Sequence, residues 1–135
     1  MNKTTFYLVD DDDVYLFITK KILKMISPDI TIREFTDGEE ALDFFKENAF
    51  DDNIIPDVIL LDLNMPYLDG WGFLNEMNKL HPDLARKTKI YIVTSSDNEE
   101  DLSSAENFKE LAGYFVKPIE RERLQELCES ILSDK

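Results

Sequence analysis

The sequence predicts an α/β fold: a parallel five-stranded sheet covered by helices on both faces. Three observations predict it. Short β-rich runs alternate five times with longer stretches of helical spacing, and strands joined by such crossovers lie parallel. The middle run, Val58-Ile59-Leu60-Leu61, is apolar without a break, as a strand covered on both sides must be. The last stretch carries Leu124, Leu127, Cys128, Ile131 and Leu132 at i, i+3, i+4, i+7, i+8, the spacing of an amphipathic helix.

Strand 1 is Thr5 to Val9. The first helix follows, with Val14, Ile18, Ile22 and Ile26 four apart as its expected buried stripe. Strand 2 is Ile30 to Phe35. Asp37, ahead of Gly38-Glu39-Glu40, reads as an N-cap, and Ala41, Leu42 and Phe45 form the apolar face of the second helix. Residues 48–57 read as a polar loop ended by Pro56. Strand 3 is Val58 to Leu61. Phe73, Leu74 and Met77 mark the third helix, which leaves at His81-Pro82-Asp83, because a residue before proline disfavours the α region. Strand 4 is Ile90 to Val93. Asp97 reads as the cap of a fourth helix over 98–109, whose stripe of Leu102, Ala105 and Phe108 is the poorest in the chain. Strand 5 is Tyr114 to Val116.

A chain of 135 residues fits one domain, so residues 1–135 are expected to form a single unit with no output domain. Fifteen Lys and Arg stand against 29 Asp and Glu, a formal charge of −14. So acidic a surface repels phosphate backbones and anionic lipid, which argues against nucleic-acid and membrane partners. Cys128 is the single cysteine, so no intrachain disulfide framework is possible. No apolar run approaches the ~18 residues of a membrane span, and residues 1–5 lack the pattern of a signal peptide. A cytoplasmic location is expected.

Open doubly wound sheets bind ligands beyond the carboxyl ends of their strands, where the strand order reverses. In the flavodoxin-like order 2-1-3-4-5, assumed here, that point lies between strands 1 and 3. Strand 1 runs into Asp10-Asp11-Asp12-Asp13, and strand 3 runs into Asp62. Both strands beside the crevice therefore deliver carboxylates to it. Two unit charges 4 Å apart cost roughly 4 kcal/mol at an effective dielectric of 20, so either a proton is retained or a cation sits among them. Oxygen donors without clustered His or Cys point to Mg²⁺ or a similar ion. A carboxylate beside such an ion can attack phosphorus and become an aspartyl phosphate. Strand 4 brings Thr94 to the same edge, and strand 5 brings Lys117, ahead of Pro118. A hydroxyl, an ammonium and a divalent ion are what a phosphoryl group needs for charge neutralisation.

Four stretches, Leu8-Val9-Asp10-Asp11, Val58 to Pro66 with Asp69-Gly70, Val93-Thr94-Ser95, and Gly113 to Pro118, together resemble the receiver domain of two-component response regulators, of the stand-alone, chemotaxis-regulator (CheY-like) type. The resemblance covers essentially the whole chain. It implies that Asp62 is the phosphoacceptor, that Asp11 binds Mg²⁺ directly and Asp10 mostly through water, and that Asn64 offers a backbone carbonyl to the ion. Thr94 would bond a phosphoryl oxygen. Lys117 would pair with the phosphoryl group or, before transfer, with Asp62. Tyr114 matches an aromatic switch position coupled to Thr94, and Asp12 or Asp13 is left to cap the first helix.

The function implied is that of a single-domain response regulator in a phosphorelay: Mg²⁺-dependent acceptance of a phosphoryl group from a sensor histidine kinase or a histidine phosphotransfer protein, later hydrolysis, and signalling through the face of the fourth helix, strand 5 and the last helix. It would be a phosphoacceptor rather than an enzyme with its own substrate. Its effector is unknown; Tyr114 and Arg121-Glu122-Arg123 suit a contact surface, and a homodimer is one option. The alternative is a small Mg²⁺-dependent aspartyl-phosphate hydrolase. That chemistry wants a second Asp two residues after the nucleophile, where this chain has Asn64. A flavodoxin-like FMN carrier is disfavoured because Asp10 to Asp13 would repel the FMN phosphate. His81 reads as an exposed loop residue, Cys128, Met65 and Met77 as structural, and Trp71 as the packing start of the third helix.

Overall fold

Alternate residues of the central strands point to opposite faces, and the core divides accordingly. Phe6, Leu8, Val58 and Leu60 enter one apolar cluster, while Tyr7, Val9, Ile59 and Leu61 enter the other. The computed structural model describes residues 4–133. Its strands are β1 (Thr5–Val9), β2 (Thr31–Phe35), β3 (Val58–Leu61), β4 (Lys89–Thr94) and β5 (Leu111–Val116). They form one sheet in the order β2-β1-β3-β4-β5, every neighbouring pair parallel. The expected order and fold class hold. β4 and β5 run longer than expected, with a register shift between Ile90 and Tyr91.

The helices are α1 (Asp13–Ile26), α2 (Gly38–Glu47), α3 (Gly70–Leu80), the single turn α4 (Leu84–Lys87), α5 (Glu99–Glu106) and α6 (Arg121–Ser133), with a 3₁₀ turn at Asp52–Ile54. α1 and α6 cover one face of the sheet, through Leu16 and Leu23 and through Leu124, Leu127, Cys128 and Ile131. α2 and α3 cover the other, through Ala41, Leu42 and Phe45 and through Phe73, Leu74 and Met77. Among the described residues, no helix is long and apolar enough to cross a membrane.

Several expectations are corrected. The expected stripe of α1 holds only in its second half, where Ile22 and Ile26 pack partly buried against the core; Val14 is 68% and Ile18 50% exposed, and the fully buried residues are Leu16, Thr19 and Leu23. α1 carries a broad apolar arc opposite Asp13, Lys20, Lys21 and Lys24, so spacing alone could not choose which part of that arc faces inward. Leu132 of α6 also lies outside the core. Asn98 rather than Asp97 caps α5, accepting from the Asp101 amide at 2.8 Å. α5 ends at Glu106, before Phe108, and none of its residues is buried. His81 is half-buried and stacks on Phe50, ring centroids 5.3 Å apart. Asp37 does cap α2, and α3 does end at His81.

Candidate functional site

Four strand ends and two helix starts build the site. Register pairs Val9 with Leu61, so the residues that follow, Asp10 and Asp62, emerge side by side. The Asp62 amide donates to the Val9 carbonyl at 2.9 Å, and the Asp10 amide to the Phe35 carbonyl at 3.0 Å. The sheet ladder thus continues one residue past each strand and fixes both carboxylates. Both are buried, 1% exposed for Asp10 and 5% for Asp62, whereas Asp11 is exposed. Carboxylate oxygens of Asp10, Asp11 and Asp62 all lie within 4.8 Å of one another.

Lys117, carried past β5, reaches into this acidic pair. Its Nζ is 2.8 Å from Asp10 Oδ2 and 3.4 Å from Asp62 Oδ2. The same ammonium lies 4.4 Å from the centroid of the Tyr15 ring, a cation–π contact. Burial pulls the lysine pKa down, but the hydrogen bonding and charge of Asp10, then of Asp62, carry it above its ordinary value. Asp10 rises too, which for a carboxyl favours the neutral form. Burial pushes it up to about 6, against the lowering by Lys117 and by the Asp12 amide.

Backbone donors orient the acids. The Leu63 amide donates to Asp62 Oδ1 at 2.7 Å, with Asn64 more distant at 3.4 Å. The Asp12 amide donates to Asp10 Oδ1 at 2.9 Å. Asp12 itself caps α1, accepting from the amides of Val14 and Tyr15. The acidic run therefore divides its labour: Asp10 and Asp11 face the crevice, Asp12 caps, and Asp13 begins the helix. Gly70 closes the floor. A Cβ there would meet the Asp62 carbonyl oxygen at 2.5 Å and the Leu63 Cα at 2.9 Å, so the start of α3 lies against the Asp62 backbone only because residue 70 has no side chain.

Thr94 is fully buried at the end of β4, and its carbonyl accepts from the Lys117 amide at 2.7 Å. Its Oγ1 accepts from the Ser96 amide at 3.3 Å. Tyr114 is half-buried, and its hydroxyl donates to the Ser96 carbonyl at 2.9 Å. Asn64 is exposed beside Asp62. All the expected site residues thus gather at the carboxyl edge of the sheet; Asp10, Asp11, Asp62 and Lys117 converge directly, and Thr94 and Tyr114 adjoin through Ser96. Sequence reasoning missed Tyr15. Its signal was an aromatic residue in the first turn of a helix that starts from the acidic run.

The donor set fits a small divalent cation. Asp10 Oδ2 is buried and held by a single cation, the Lys117 ammonium at 2.8 Å. Two buried carboxylates and an exposed third supply hard oxygens of the kind Mg²⁺ takes.

Comparison with known proteins agrees with this geometry. The response regulator receiver domain family matches residues 6–129. The nitrate/nitrite response regulator NarL of Escherichia coli is 32% identical over 121 residues, covering 89% of this chain and 50% of that protein, so the chain spans half of NarL's length. Among solved structures, a two-component response regulator from Cytophaga hutchinsonii superposes with a TM-score of 0.84 at 25% identity, over 98% of this chain and 99% of that one. The Mn²⁺-bound form of response regulator Rcp1 gives 0.76 at 28% identity, over 96% and 92%.

Proposed function

The chain belongs to the response regulator receiver domain family, and on that premise we propose that it accepts a phosphoryl group on Asp62 from a histidine-phosphorylated donor protein of a two-component system. Receiver domains are phosphoacceptor signalling domains, and the observation that carries the assignment is the convergence of Asp10, Asp11 and Asp62, with the Lys117 ammonium on Asp10 and Asp62. The Mn²⁺ held by Rcp1 supports a divalent ion on the same three carboxylates, with the Asn64 carbonyl as a further ligand. When bound, that ion supplies charge neutralisation at the phosphoryl oxygens.

Asp62 Oδ1 is engaged by the Leu63 amide, which leaves Oδ2, on the Lys117 side, as the nucleophile. As Oδ2 bonds to phosphorus, the P–N bond of the donor phosphohistidine breaks, and the imidazole leaves with the electron pair and takes up a proton. Lys117 follows the charge from the carboxylate onto the phosphoryl oxygens, and the Thr94 hydroxyl turns to donate to one of them. Water later attacks phosphorus and restores the carboxylate. Tyr114 turns with Thr94, shifting the population of the α5–β5–α6 face toward the form an effector binds.

The donor needs a seat beside this edge. α1 starts there, and Val14, Phe17 and Ile18, 68%, 57% and 50% exposed, give an apolar face continuous with the acidic site. We assign it to the phosphodonor. Incubation with acetyl phosphate and Mg²⁺, read by intact mass, tests the assignment of Asp62. One added phosphoryl group is expected on the wild type and none on Asp62→Ala; unchanged labelling of that variant would place the acceptor elsewhere.

A further inference from the structure

α5 buries none of its residues, yet it lies beside the segment that must move. Its tether is polar and aromatic. The Trp71 indole, one residue into α3, stacks on Phe108, centroids 5.2 Å apart and planes 17° from parallel, and its Nε1 donates to Asp101 Oδ1 at 3.0 Å. The other Asp101 oxygen accepts from the Ser96 hydroxyl at 2.5 Å. Ser96 is the junction. Its amide donates to Thr94 Oγ1, and its carbonyl takes the Tyr114 hydroxyl.

We propose that Asp101 is a positioning residue that latches residues 94–96 in the unphosphorylated arrangement, holding Ser96 from α5 while Trp71 holds Asp101 from α3. The proposal rests on Asp62 being the phosphoacceptor. For Thr94 to donate to a phosphoryl oxygen, the Ser96 amide must give up Oγ1 or travel with it. Either movement strains the Ser96–Asp101 bond. The latch therefore opposes the phosphorylated arrangement and at the same time carries the displacement to α5 and Trp71. Low acidity at Asp101 is not needed to break it. The Ser96 hydroxyl and then the Trp71 indole hold its carboxyl below the usual range, so it stays charged and an acceptor at neutral pH.

The test titrates beryllofluoride into the full chain with Mg²⁺, read by calorimetry and by emission of Trp71, the sole tryptophan. Loss of a latch that favours the unbound arrangement raises apparent affinity. Asp101→Ala and Ser96→Ala should each bind about three- to tenfold more tightly than wild type, the worth of one such hydrogen bond. Asp101→Asn, which keeps an acceptor for Trp71, should fall between. Wild-type Trp71 emission should change on binding, and that change should vanish in Ser96→Ala, where the Trp71–Asp101 bond is untouched. Affinity equal to or weaker than wild type in Ser96→Ala overturns the latch, and this variant decides alone should Asp101→Ala fold poorly. A wild type that takes up no phosphoryl group from acetyl phosphate refutes the Asp62 assignment instead, whatever the variants do.

Discussion

Lys117 lies closer to Asp10 than to Asp62: 2.8 Å against 3.4 Å. The lysine is therefore committed to the neighbouring buried acid, and only leans toward the one proposed to accept phosphorus. Replacing it by methionine leaves Asp10 buried without its counter-charge, held only by the Asp12 amide. Breaking one side of a buried pair costs about 3–5 kcal/mol, so urea unfolding of metal-free Lys117→Met should show a loss of that order, partly recovered by Mg²⁺. Acetyl phosphate uptake, followed by intact mass, should slow by about 10²-fold or more, the usual cost of one electrostatic donor at a reacting group.

Asp10 gives the site a pH dependence with a definite sign. Its folded pKa of about 6 exceeds the ordinary 3.8, so between those values the folded chain holds a proton that the unfolded chain has released. This group's contribution to stability falls as pH rises through that window, by roughly 3 kcal/mol in total. A divalent ion must displace the proton. Mg²⁺ affinity by isothermal titration should therefore climb about tenfold per pH unit below 6 and flatten above it. In Asp10→Asn that segment of the climb should be missing.

Gly70→Ala tests the floor under Asp62. The added Cβ has no space against the Asp62 carbonyl, and relief requires a backbone shift. Overpacking of this kind costs about 1–3 kcal/mol. A displacement of the nucleophile approaching 1 Å costs about 10²-fold in rate. Thermal unfolding and acetyl phosphate uptake should both register the change, the second more severely.

Phe17→Glu probes the exposed face of α1. Its ring is 57% exposed, with the Lys21 ammonium 4.6 Å from its centroid, so the fold should lose under about 1 kcal/mol. Uptake from acetyl phosphate should stay at the wild-type rate, while transfer from a phosphorylated histidine kinase domain should fall at least about tenfold. Equal losses from both donors would detach this face from donor recognition.

Much of the fold and the site was legible because local and long-range signals coincide. Val58-Leu61 is unbroken and ends on Asp62, and strand 1 ends on Asp10, so the two central strands name the crevice by themselves. The inner face of α1 was legible only in part, through Ile22 and Ile26. With Val14, Leu16, Phe17, Ile18, Ile22, Leu23 and Met25 all apolar, several stripes compete, and contact with the sheet and α6 decides in favour of Leu16 and Leu23. Asp97 and Asn98 are both good caps, and only the chain's path into α5 chooses Asn98. Lys117 resting on Tyr15, and Trp71 reaching Asp101 thirty residues away, join elements whose relative placement no local pattern encodes.

The bond from the Asp62 amide to the Val9 carbonyl ties chemical competence to maturation. More than fifty positions part those two residues along the polypeptide, so the receptacle exists only after the innermost parallel pairing has zipped shut. On the proposed reading, a copy whose β1–β3 pairing is open holds no assembled acidic pair for a donor to modify.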